Sequence, residues 1–110
     1  MQPAAIREAT PAEIYRRLQA GEDLLLVDVR EPDEIAIAAL PDALICPLSR
    51  AAGWIDSLPK DQPLIIFCHH GIRSLRVAQA LAERGHTNLT NMTGGIDLWS
   101  AQVDPAVPRY

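Results

Sequence analysis

FCHHGIRSLRVAQAL, residues 67–81, joins an apolar run to a helix-like pattern, and it crowds a cysteine, two histidines, a glycine and an arginine into the six positions between them. Leu64-Ile65-Ile66-Phe67 is too short for a helix and uniformly apolar, the pattern of a strand buried on both faces. Leu75, Val77, Ala78 and Leu81 then recur at helical spacing and predict a helix over 73–84, stopped by Gly85. A buried strand followed directly by a helix is the unit of a parallel sheet.

The same reading extends outward. Leu24-Leu25-Leu26-Val27 is a second buried run, and Ala43-Leu44-Ile45-Cys46 a weaker third, closed by Pro47. Thr10-Pro11-Ala12-Glu13 marks a helix start, with Thr10 as N-cap, Pro11 in the first helical position and Glu13 closing a capping box. Ile14 and Leu18 carry that helix's apolar stripe, and Gly21 ends it. Further helices are predicted over 31–38 and 49–57. Leu89-Thr90-Asn91-Met92 reads as a short strand, Gly94-Gly95 as a turn and 96–101 as a last helix, while Ala4 to Arg7 reads as an edge strand. The expectation is an α/β fold: one domain over 1–110, with a mainly parallel sheet of about five strands flanked by helices.

With 110 residues, 48% of them hydrophobic, the chain has material for one core. Its formal net charge of −4 offers no basic surface, so no nucleic-acid partner is expected. No run has the length of a membrane span, and the first residues do not follow the basic-then-apolar pattern of a secretion signal, so neither a span nor such a signal is expected. Two cysteines make no disulfide framework, and a reducing, cytoplasmic location is expected.

In parallel sheets ligands bind beyond the carboxyl ends of the strands, where Cys68 lies. A loop curling around its sulfur and leading into a helix aims backbone N–H groups and the positive end of the helix dipole at it. Both favour the thiolate, whose pKa in such settings falls from about 8.5 to roughly 3.5–7.5. Gly71 permits a tight backbone path, and Arg73 supplies a fixed cation. Ser74 is expected both to cap the helix and to donate a hydrogen bond to the sulfur. The reading is a nucleophilic sulfur in an anion cradle. Cys68, His69 and His70, with His86 as a fourth candidate, are too close together to converge readily on a tetrahedral ion, so no metal is expected. His69 is expected at the pocket mouth and His70 packed or hydrogen-bonded locally. Cys46 reads as a buried structural cysteine, Trp54 and Trp99 as core or pocket wall, and Asp28 with Arg30 as an ion pair tying a strand end to the next helix.

The spacing Cys68, four residues, Arg73, Ser74 resembles the active-site loop of rhodanese domains. Asp28-Val29-Arg30-Glu31-Pro32-Asp33-Glu34, Pro41 to Leu48, and Gly94-Gly95-Ile96-Asp97-Leu98-Trp99 resemble three further stretches of that family, in the same order. The resemblance implies a three-layer rhodanese-like fold. It also implies a sulfurtransferase in which Cys68 takes sulfane sulfur from a small anionic donor such as thiosulfate, becomes a transient persulfide and needs no cofactor. An acceptor such as cyanide, a thiol or a sulfur-carrier protein then receives the sulfur. His69, His70, Gly71, Ile72, Arg73 and Ser74 would hold the donor. The alternatives are oxyanion chemistry of the phosphatase or arsenate-reductase type on the same loop, and a non-catalytic regulatory module. The related phosphatases place five residues between cysteine and arginine, and this chain has four. Where family members carry His-Ile-Pro-Gly, this chain has Ala39-Leu40-Pro41-Asp42. Asp104 to Tyr110 resembles rhodanese domains linked to adenylylating enzymes of sulfur-carrier pathways, which makes such an enzyme or its carrier a candidate partner.

Overall fold

The computed structural model describes residues 5–110. Five parallel strands, β1 (Arg7–Ala9), β2 (Leu25–Asp28), β3 (Leu44–Ile45), β4 (Leu64–Phe67) and β5 (Leu89–Met92), form one sheet in the order β1-β5-β4-β2-β3. Every pairing is parallel, so the sheet is wholly rather than mainly parallel. The helices are α1 (Pro11–Gln19), α2 (Pro32–Ile37), α3 (Ile72–Glu83) and α4 (Gly95–Gln102).

All four residues of β4 are buried because this strand is central and covered on both sides. Alternate side chains serve two cores, as the two-residue strand period requires. Leu64 and Ile66 pack with Val27, Ile55, Leu58 and the α3 residues Val77, Ala78 and Leu81. Ile65 and Phe67 pack on the other face with Ile14 of α1 and with Ile96 and Trp99 of α4. The architecture is three layers, helix–sheet–helix.

Several local expectations shift. The edge strand expected from Ala4 begins outside the described residues. Its paired segment is Arg7–Ala9, set by register with Thr90, Asn91 and Met92. Thr10 does cap α1, its hydroxyl oxygen accepting from the Glu13 N–H at 3.2 Å. The Glu13 carboxylate, however, takes the Thr10 hydroxyl at 3.1 Å. The helix expected at 49–57 is a 3-10 segment, Leu48–Gly53, kinked at Arg50 and continued by turns. The Trp54 indole N–H reaches back to the Pro47 carbonyl at 2.9 Å, while Ile55 and Leu58 are buried in the core. Anchoring both ends of so short a connection leaves no room for a longer helix. Asp42, standing where the family pattern has glycine, adopts φ 63°. Aspartate tolerates that left-handed conformation better than most residues, so the turn before β3 survives the replacement.

Candidate active site

The sulfur of Cys68 lies just beyond the carboxyl end of β4, in a residue only 1% exposed. The loop curls back so that its sulfur receives the N–H of Gly71 at 3.1 Å and that of Ser74 at 3.4 Å. Gly71 is the N-cap of α3, with φ 103°. A Cβ there would lie 3.3 Å from the Met92 carbonyl oxygen and in a strained backbone conformation. The expected cap at Ser74 is therefore corrected. Ser74 occupies the third helical position, and its hydroxyl points inward, 3.3 Å from the sulfur.

From behind, α4 holds the loop in place. The N–H of Ile96 donates to the Cys68 carbonyl at 2.9 Å, and that of Asp97 to the His69 carbonyl at 3.2 Å. These contacts require Gly95, where an added Cβ would stand 2.4 Å from both carbonyl oxygens.

Burial works against charge on the Cys68 sulfur. The N–H groups of Ser74, Gly71 and His70 favour that charge, and the thiol is held below its ordinary pKa. Cys46 sits at the opposite extreme. It is buried among apolar side chains, without such donors among the described residues, and its thiol is pushed up to about 11.

Arg73 lies beside the sulfur but does not offer it a free fork. Its Nη1 and Nη2 donate to the two carboxylate oxygens of Glu34 at 2.7 Å each. Glu34 also accepts the Glu31 backbone N–H at 2.9 Å and the Tyr110 hydroxyl at 3.3 Å. Neither Glu34 nor Tyr110 stands out in the sequence, because only folding brings α2 and the tail to the loop.

The two histidines exchange the places expected of them. His69 is partly buried between the His70 and Tyr110 rings, with centroids 3.8 Å away on each side. Its Nε2 is buried and has no hydrogen-bond partner among the described residues, and burial lowers its pKa. The His70 side chain is 58% exposed, with Nδ1 3.9 Å from Asp97. The stacking partner, Tyr110, lies 41 positions downstream, which is why loop-local reasoning reversed the pair.

Cys68, His69, His70, Ile72 and Arg73 line a cavity of about 270 Å³ above the sulfur. A second, more apolar cavity of about 290 Å³, bounded by Tyr15, Leu26, Leu40 and Trp99 among others, shares no residue with the loop. Among the described residues no three His, Cys, Asp or Glu side chains gather closely enough to hold a metal ion. Asp28 and Arg30 form a buried ion pair at 2.7 Å, with Arg30 also donating to the Ala38 carbonyl at 2.8 Å and the Tyr110 hydroxyl at 3.0 Å. This pair braces the loop's surroundings rather than facing its sulfur.

A cysteine at the carboxyl end of the central strand, ringed by backbone donors and followed by arginine, defines an α/β domain with a cysteine-centred loop. The model of the rhodanese-like domain family matches residues 10–102, and the chain belongs to that family. Over 93% of its length it is 35% identical to a sulfurtransferase of Allochromatium vinosum, of which it covers 95%. It is 31% identical over 92% of its length to the probable adenylyltransferase/sulfurtransferase MoeZ of Mycobacterium tuberculosis, spanning 26% of that protein. Among solved structures it superposes on a rhodanese-like domain protein from Staphylococcus aureus with a TM-score of 0.79 and 28% identity, covering 86% of this chain and 91% of that one.

Proposed function

We propose that this chain is a sulfurtransferase that carries sulfane sulfur as a persulfide on Cys68. The observation that carries the reading is the buried sulfur under the N–H groups of Gly71 and Ser74, at the floor of a cavity large enough for a small donor. The Cys68 thiolate attacks the outer sulfur of thiosulfate. A new S–S bond forms as the donor's S–S bond breaks, and sulfite leaves with the electron pair. The persulfide anion is met by loop amides and the start of α3, groups already oriented before the reaction. An acceptor, such as cyanide or a thiolate, then attacks the outer sulfur and Cys68 departs as thiolate.

Two features weigh against phosphate chemistry. The loop has four residues between Cys68 and Arg73, and the guanidinium fork that would grip a phosphate is taken up by Glu34. The likeness to MoeZ supports a sulfur-carrier protein, or its adenylylating enzyme, as a partner. Intact-mass measurement after incubation with thiosulfate should show one added sulfur atom, absent in Cys68→Ser. No added sulfur on a folded wild-type protein would sink the reading.

A further inference from the structure

Behind Cys68 a chain of polar groups runs from buried Ser74 of α3 through buried Asn91 to exposed Glu8 of β1. Asn91, 3% exposed at the centre of β5, donates through Nδ2 to the Gly71 carbonyl at 3.1 Å and to the Glu8 carboxylate at 3.2 Å. Those contacts fix its carboxamide, because a flipped amide would set its oxygen against acceptors. Asn91 Oδ1 is thereby turned to Ser74, whose hydroxyl donates to it at 2.5 Å.

A hydroxyl has one proton. With that proton on Asn91, Ser74 presents a lone pair to the Cys68 sulfur 3.3 Å away. The uncharged thiol completes the chain, S–H to Ser74 and Ser74 to Asn91. A thiolate must either face the lone pair or draw the Ser74 proton off Asn91, leaving a buried carbonyl oxygen without a donor. A persulfide removes the conflict, since its charge moves to the outer sulfur and Sγ becomes a neutral bridging atom.

We propose that Asn91 is a positioning residue for Cys68: by holding the Ser74 proton, it withholds that donor from the sulfur and tempers the thiolate preference set by the loop N–H groups, to the benefit of thiol and persulfide. The site thereby leans toward its sulfur-loaded state. The persulfide half rests on the sulfur-transfer reading above. The thiol half does not.

Other charged groups face the sulfur's surroundings. Arg73 of α3 is paired with Glu34 of α2, and His69 and His70 of the loop lie near Asp97 of α4. The Asp28–Arg30 pair stands at the end of β2, and Glu8 of β1 lies behind Asn91. All remain in the variants below, and Glu8 keeps the Thr93 hydroxyl at 2.8 Å.

The test is the pH dependence of iodoacetamide alkylation at Cys68, read by peptide mass, in wild type, Asn91→Val and Asn91→Ala. Valine suits a buried strand, and alanine controls for bulk. Freed to donate to the sulfur, Ser74 should lower the alkylation midpoint by about one pH unit. In a Ser74→Ala background the same substitutions should leave the midpoint where it was. No fall in the folded single variants, or an equal fall without the Ser74 hydroxyl, would overturn the proposal. At a fixed thiosulfate-to-sulfite ratio, persulfide relative to free thiolate should drop about tenfold in the same variants. An unchanged ratio overturns the persulfide half. A wild type that takes up no sulfur overturns the sulfur-transfer reading instead, and the alkylation result still decides the role of Asn91.

Discussion

Arg73 and Glu34, 39 residues apart, meet as a two-pronged ion pair with both N–O distances at 2.7 Å. The cation supplied by the candidate nucleophile's own loop is thus already paired in the free site. An anionic donor must either share Arg73 with Glu34 or rely on the loop amides.

Replacing Glu34 should expose this competition. Glu34→Gln keeps the shape and removes the charge, so thiosulfate kcat/KM should rise a few-fold, in keeping with about 1 kcal/mol for a partly exposed pair. Arg73→Lys should lower it, because an ammonium cannot reproduce the planar fork. Unchanged values in both variants would show that the donor never meets the guanidinium.

The same pair sets an acid limit. Arg73 holds the Glu34 carboxyl down to about 2, from an ordinary 4.5. Its contribution to stability is complete above the ordinary value and drains away as pH falls from about 4.5 toward about 2. Urea midpoints measured across that window should decline less steeply in Glu34→Gln than in wild type. Parallel slopes would contradict the assignment.

The two thiols should behave differently. Cys68→Ser should lose all thiosulfate-dependent transfer, and Cys46→Ala should keep most of it, since the Cys46 thiol stays protonated up to about 11. Loss of activity in a folded Cys46→Ala protein would refute a single catalytic cysteine.

Arg30 is fully buried against Asp28, so Arg30→Met leaves a carboxylate without its cation. Breaking one side of such a pair costs roughly 3–5 kcal/mol. The double variant Arg30→Met with Asp28→Leu should recover much of that, as measured by urea unfolding. A single variant within about 1 kcal/mol of wild type would mean the pair is not bracing the domain.

Gly95→Ala tests whether α4 shapes the loop. The new Cβ would displace the Cys68 and His69 carbonyls, and a shift of about 1 Å at a reacting group can cost roughly a hundredfold in rate. Transfer activity should fall far more than the thermal midpoint does. Retained activity would show that the loop tolerates that movement.

Runs such as Leu64–Phe67 and Leu24–Val27 made the sheet legible in the sequence, because a strand buried on both faces must be apolar throughout. The loop was legible too. A cysteine between such a strand and a helix is committed to the carboxyl edge of the sheet, and its distance from Arg73 is counted along the chain. The short 3-10 segment was not, since residues 49–57 carry helical composition but are pinned at Pro47 and in the core. Asn91 left a faint signal, a lone amide in a strand otherwise suited to burial. Which residues Arg73, His69 and Ser74 would pair with left none. Glu34, Tyr110 and Asn91 come from α2, the tail and β5, and hydrogen bonds of 2.5 and 2.7 Å or a ring stack at 3.8 Å depend on how those elements pack rather than on residue type. Strand burial and loop length are local properties of the chain, whereas which buried donor finds which acceptor is decided only when distant segments meet.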